Sequence, residues 1–130
     1  MIATTTIAEQ LVYIYHREEW WHATTMPYDE ALAYHQKGLD NGTIHVYEQD
    51  GEVLGYYERF IDGNVVDLRN VWVKDGLRRG EVFRALYRHF FDNLPDGIDY
   101  IIGEKQRAGG KKQKVKINKE RIYGKYENRF

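Results

Sequence analysis

Hydrophobic positions change period several times along the chain. Ile7, Leu11 and Ile14 recur at spacings of four and three, which sets them on one face of a helix running from about Ile7 to Glu19. Thr6 and Glu9 stand ahead of that face as a capping-box pair. A second short helix is expected over Tyr28–Lys37. Pro27 suits a first turn, Asp29 and Glu30 complement the positive end of the helix dipole, and Gly38 can end it. The period then falls to two. Thr43–Glu48 alternates Ile44 and Val46 with Thr43, His45 and Tyr47, and Asp50-Gly51 is a hairpin turn. Val53–Ile61 is the next strand, Asp62-Gly63 turns it back, and Val65–Val73 is the third. Two Asp-Gly turns between β-rich runs predict an antiparallel meander.

Val82, Leu86 and Phe90 restore the helical period over Gly80–Asn93, and Pro95 and Gly97 close it. Ile98–Gly103 reads as a short buried strand and Ala108-Gly109-Gly110 as a turn. Val115–Tyr123 reads as a weaker strand, with a short helix left open by Asn118, Lys119 and Glu120. Ile44, Val46, Leu54, Val71, Val73, Leu86 and Phe90 are the expected core. The order of elements predicts one mixed α/β domain over residues 1–130, without internal repeats.

Composition narrows the chemistry. The chain has 130 residues, and its 42% apolar and 15% aromatic shares supply one core. It has no cysteine, which excludes disulfides, zinc–thiolate sites and a thiol nucleophile. It also has no serine, which excludes a serine triad. His16, His22, His35, His45 and His89 form no metal-binding spacing, and no phosphate-binding loop of the nucleotidase type occurs. There is no signal-peptide pattern and no apolar run near the ~20 residues that span a bilayer, so a cytoplasmic protein is expected. Trp20, Trp21, Trp72, Tyr56 and Tyr57 are read as core or rim aromatics rather than a binding groove.

The net charge of −1 conceals an asymmetry. From Glu104 to Phe130 there are ten Lys and Arg against three Glu, so the rest of the chain is acidic. Such a basic segment, over about 105–129, is either a solvated hairpin or a surface for an anionic partner.

The segment Val71–Phe83 joins a strand to a helix through a loop containing Gly76, Arg78, Arg79 and Gly80. Free N–H groups at a helix N-terminus, with two arginines beside them, suit a phosphate or pyrophosphate. Here the sequence resembles the GNAT family of acyl-CoA-dependent N-acyltransferases. The order of elements from Thr6 to Gly103 matches that fold, and Arg79-Gly80 matches the Arg-Gly of the family's pyrophosphate loop. Two positions depart from it. Leu77 stands where a polar first residue belongs, and Val82 stands where a second small residue belongs, so its β-branched side chain is expected to crowd the cofactor.

The resemblance implies a central mixed, mostly antiparallel sheet flanked by helices. It implies acetyl-CoA or another acyl-CoA held by Trp72, Val73, Arg78, Arg79, Gly80, Glu81, Val82 and Phe83, an amine as acceptor, and no metal. Asp67 lies on the strand that carries the family's general base. Tyr126 lies in Tyr126-Glu127-Asn128-Arg129-Phe130, similar to a family stretch, and becomes the residue that protonates the leaving thiolate, with Tyr123 as an alternative. The rival expectation is a protein that keeps this fold without catalysis, of viral or mobile-element type, and binds a protein or nucleic-acid partner.

Overall fold

The computed structural model describes residues 6–18, 26–74, 79–106 and 112–118. Helix α1 spans Ile7–Glu18 and begins at the expected capping box. The Thr6 N–H donates to Glu9 Oε1 at 3.2 Å, and the Glu9 N–H donates to Thr6 Oγ1 at 3.1 Å. Helix α2 spans Tyr28–Asn41, a turn longer than expected at its C-terminal end. Gly38 lies inside it, because a Cβ there would come within 2.5 Å of Ile44 Cδ1. The glycine therefore lets the helix approach the sheet, and Gly42, with φ of 80°, is the left-handed residue that ends it.

Strands β1 (Ile44–Gln49), β2 (Glu52–Asp62) and β3 (Val65–Val73) form the antiparallel meander. Asp50 and Gly51 both have positive φ, as a type I′ turn demands. The second turn is Gly63-Asn64 rather than Asp62-Gly63, since Asp62 pairs with Val65 and Gly63 carries the positive φ. Helix α3 (Arg79–Asp92) follows, then β4 (Tyr100–Gln106) and β5 (Lys112–Asn118). The strands lie in chain order in one sheet, β1-β2-β3-β4-β5, with β3 and β4 parallel and the other pairs antiparallel. The last described segment is thus a strand that starts before Val115, paired with β4 from Gln106↔Lys112 to Tyr100↔Asn118. Residues 119–130 lie outside the described part.

Two cores cover the two faces of the sheet. On one face α3 packs Val82, Leu86 and Phe90 against Tyr57, Val66, Val73 and Ile101. On the other, Leu11 and Ile14 of α1 meet Ile44, Val53 and Tyr56. Ile44, Leu54, Val73, Leu86 and Phe90 are buried as expected, while Val46 and Val71 are half-buried. Gln10 ties α1 to the first hairpin: its Nε2 donates to Gly51 O at 2.7 Å, and its Oε1 accepts from the Val53 N–H at 2.9 Å. No helix among the described residues is long and apolar enough to cross a membrane.

Candidate active site

The strand–loop–helix expected from the sequence is present: β3 ends at Val73 and α3 begins at Arg79. Loop residues Asp75–Arg78 lie outside the described residues, as do the Arg79 side chain, Tyr123, Tyr126, Trp20 and Trp21. The first turn of α3 leaves N–H groups without intrahelical partners. Gly80 and Glu81 are exposed there. A Cβ on Gly80 would meet only the Arg84 side chain, at an ordinary 3.5 Å, so the surface over this turn is open. Val82 does not stand over it. Its side chain is buried against Gly55, where an added Cβ would come within 2.8 Å of Val82 Cγ1. The crowding expected of Val82 is therefore absent, because this position faces the sheet. Phe83 is half-buried, stacks with Tyr87 and packs on the α3-side core.

The sheet opens beside this helix end. Parallel pairing of β3 with β4 covers Val65↔Tyr100, Val66↔Ile101 and Asp67↔Ile102. Beyond it β3 continues through Leu68–Val73 and β4 through Gly103–Gln106, with no pair between those stretches among the described residues. The strands thus part at Asp67, and the gap opens toward their C-terminal ends, the end at which α3 starts. Ligand crevices in open sheets form at such strand ends.

Backbone donors point into the gap. The Lys74 N–H donates to Leu54 O at 2.9 Å, which directs it toward β2. Alternation along an extended strand then turns the N–H groups of Val73 and Val71 to the opposite edge, facing β4. That of Trp72 faces β2, and the Trp72 ring packs with Tyr56 against the α1-side core.

Asp67 occupies the vertex. Its Oδ2 accepts from Arg69 Nε at 2.8 Å and Nη2 at 2.7 Å. Arg69 also lies over the Phe60 ring, 5.0 Å from its centroid. Asp67, Arg69 and Phe60 share the face covered by α1 and α2.

The same face holds a buried polar group that sequence reasoning missed. Glu58 of β2 is only 2% exposed. Its Oε2 accepts from the Tyr34 hydroxyl of α2 at 2.7 Å, and its Oε1 accepts from Asn70 Nδ2 of β3 at 2.8 Å. Burial and then the bond to Glu58 raise the Tyr34 pKa, so its hydroxyl keeps its proton and donates. Asn70 sits where the β2–β3 register shifts between Tyr56 and Glu58, and it has φ of 52°. That bulge resets the strand's alternation. Val66 and Leu68 before it, and Val71 and Val73 after it, all face α3. His35 lies next to Tyr34, 1% exposed, with Nδ1 bonded to Ala31 O at 2.7 Å. Burial lowers its pKa, so the ring is held neutral. The one sequence signal for this group was Glu58 itself, an acid in phase with Tyr56 and Phe60. Nothing in the sequence marked Asn70 as left-handed. Among the described residues, no set of three or more His, Asp, Glu or Cys side chains gathers as a metal site.

Neither a family model nor a curated protein matches the sequence. Solved structures do. Diaminobutyrate acetyltransferase EctA from Paenibacillus lautus, in complex with its substrate L-2,4-diaminobutyric acid and coenzyme A, superposes with a TM-score of 0.58 at 15% identity, over 76% of this chain and 60% of that one. The structure of yncA from Salmonella typhimurium, with its cofactor acetyl-CoA, gives a TM-score of 0.55 at 21% identity, over 76% of this chain and 63% of that one. The chain thus spans less than two thirds of either neighbour's length. At these identities the likeness speaks for architecture, and the architecture is the GNAT fold.

Proposed function

We propose that the chain is an N-acyltransferase that moves an acyl group, acetyl above all, from acyl-CoA to an amine. The observation that carries this reading is the juxtaposition of the β3–β4 gap with the open first turn of α3. Both structural neighbours were solved with coenzyme A or acetyl-CoA bound.

The residues fit the cofactor. Gly80 leaves room above the first turn of α3, and Val82 is turned away from it. In this reading the N–H groups of that turn, with Arg78 and Arg79, hold the pyrophosphate. The N–H groups of Val71 and Val73 donate to the acyl oxygen and stabilise negative charge developing on it. The bound thioester supplies the activated acyl group. Asp67, at the vertex, takes a proton from the amine directly or through water as the N–C bond forms. Tyr126 returns a proton to the sulfur as the C–S bond breaks.

The Asp67–Arg69 ion pair favours a second reading. A carboxylate held by a guanidinium is also what a structural strand pair needs, so the fold can serve as a non-catalytic scaffold. The basic segment 105–129 would then meet an anionic protein or nucleic acid.

Calorimetry separates the two. The first reading expects acetyl-CoA to bind. Arg79→Ala should weaken binding about tenfold or more, for a lost contact of roughly 1.5–3 kcal/mol. Gly80→Val should weaken it further, while the open space there lets the fold accept the side chain. Asp67→Asn should leave binding intact and slow transfer. Absence of binding at millimolar acetyl-CoA would defeat the enzyme and leave the scaffold.

A further inference from the structure

The bulge at Asn70 is costly, and the structure shows what maintains it. A non-glycine residue with φ near 52° is disfavoured unless its surroundings hold it, and asparagine tolerates it better than most. Here the hold is Glu58. Its buried carboxylate grips Asn70 Nδ2 with one oxygen and the Tyr34 hydroxyl with the other, so α2, β2 and β3 are tied at one point. The residue after this point is Val71, whose N–H faces the β3–β4 gap. A strand without the bulge would lose one residue of offset, and the Val71 and Val73 donors would exchange edges with Trp72.

We propose that Glu58 is a positioning residue: through Asn70 it sets the register that aims the Val71 and Val73 N–H groups into the gap. The proposal rests on the reading that this gap receives the acyl group, and it adds how the chain keeps the donors there. Glu58 acts through Asn70 and touches no substrate. Helix α2 takes part because Tyr34 fixes the second carboxylate oxygen. Two neutral donors on one buried carboxylate bind it firmly, since charge-assisted hydrogen bonds are the stronger kind.

The test needs two readouts on the full chain. The first is amide hydrogen exchange, by NMR, at Val71 to Val73, with Val66 as the reference on the same strand. The second is the ratio of CoA to acetyl-CoA dissociation constants. Only acetyl-CoA has the acyl oxygen, so the ratio reports the Val71 and Val73 donors apart from the pyrophosphate contacts. Wild type should prefer acetyl-CoA by about tenfold, the worth of one or two well-placed hydrogen bonds. Glu58→Leu should speed exchange at Trp72 more than tenfold, slow it at Val71 and Val73 as these turn toward β2, spare Val66, and erase the preference while CoA still binds. Glu58→Gln keeps an acceptor for Asn70 and should restore both readouts. Should Glu58→Leu fail to fold, Asn70 gives the same contrast. Asn70→Ala should lose the preference, whereas Asn70→Gly, free to adopt positive φ, should keep most of it. Wild-type exchange and ratio in Glu58→Leu, or in Asn70→Ala, would overturn the positioning role. If wild type binds neither CoA nor acetyl-CoA, the acyltransferase reading itself fails. The exchange data then decide separately whether the clamp exists, and unchanged exchange refutes it.

Discussion

The two faces of the sheet are built on different physics. The face under α3 is a continuous apolar core of Tyr57, Val66, Val73, Val82, Leu86, Phe90, Phe91, Ile98 and Ile101. At its margin the Tyr57 hydroxyl meets His89 Nδ1 at 2.8 Å. The face under α1 and α2 has a smaller apolar cluster and, beside it, buried Glu58 and His35 with their partners. Apolar burial is non-directional and tolerant, so the α3 face can carry stability. Buried polar groups are costly unless each bond is made, so the α1–α2 face specifies one backbone geometry at β3. Division of labour follows: one face holds the sheet together, and the other sets the bulge beside the candidate site.

The largest expected effect breaks the α3 face. Phe90 is 1% exposed and meets Tyr57 edge-on, with ring centroids 5.6 Å apart. Phe90→Ala should cost about 3–5 kcal/mol in denaturant unfolding, through lost burial and the cavity left behind. A loss under about 1 kcal/mol would show that this core is not what holds the sheet.

A smaller effect sharpens the contrast through pH. Burial lowers the pKa of His35, and burial and then His89 lower that of His45. Each folded-state value lies below the unfolded value of about 6.5, so the unfolded chain binds the extra protons. Stability is therefore complete above about pH 6.5 and falls as pH drops below it. Thermal unfolding midpoints should decline between pH 7 and 5, before most carboxylates titrate. His35→Leu should remove part of that slope, with His45 supplying the remainder. A midpoint flat across this range would contradict the burial of both rings as neutral groups.

Legibility in the sequence followed how local each signal was. The capping box Thr6–Glu9, the Asp50-Gly51 turn and the spacing of Val82, Leu86 and Phe90 act over a few residues, and they placed α1, the first hairpin and α3. Gly38 misled because a glycine that ends a helix and one that admits a neighbouring strand look alike in sequence. Only the distance to Ile44 separates them. Val82 misled for a related reason: its place in a motif said nothing about which side of α3 it occupies, which Gly55 decides. The Glu58–Asn70–Tyr34 group was illegible because its members come from α2, β2 and β3 and meet only when the sheet is assembled. Asp67 was marked through its strand, yet its salt bridge with Arg69, two residues on, belongs to the folded strand.

The most direct test of the central claim is amide chemical-shift mapping of the full chain on addition of acetyl-CoA. Perturbations should concentrate at Val71, Val73 and Gly80 to Phe83, where the gap and the first turn of α3 meet. Shifts confined to β5, or none at millimolar ligand, would contradict the claim.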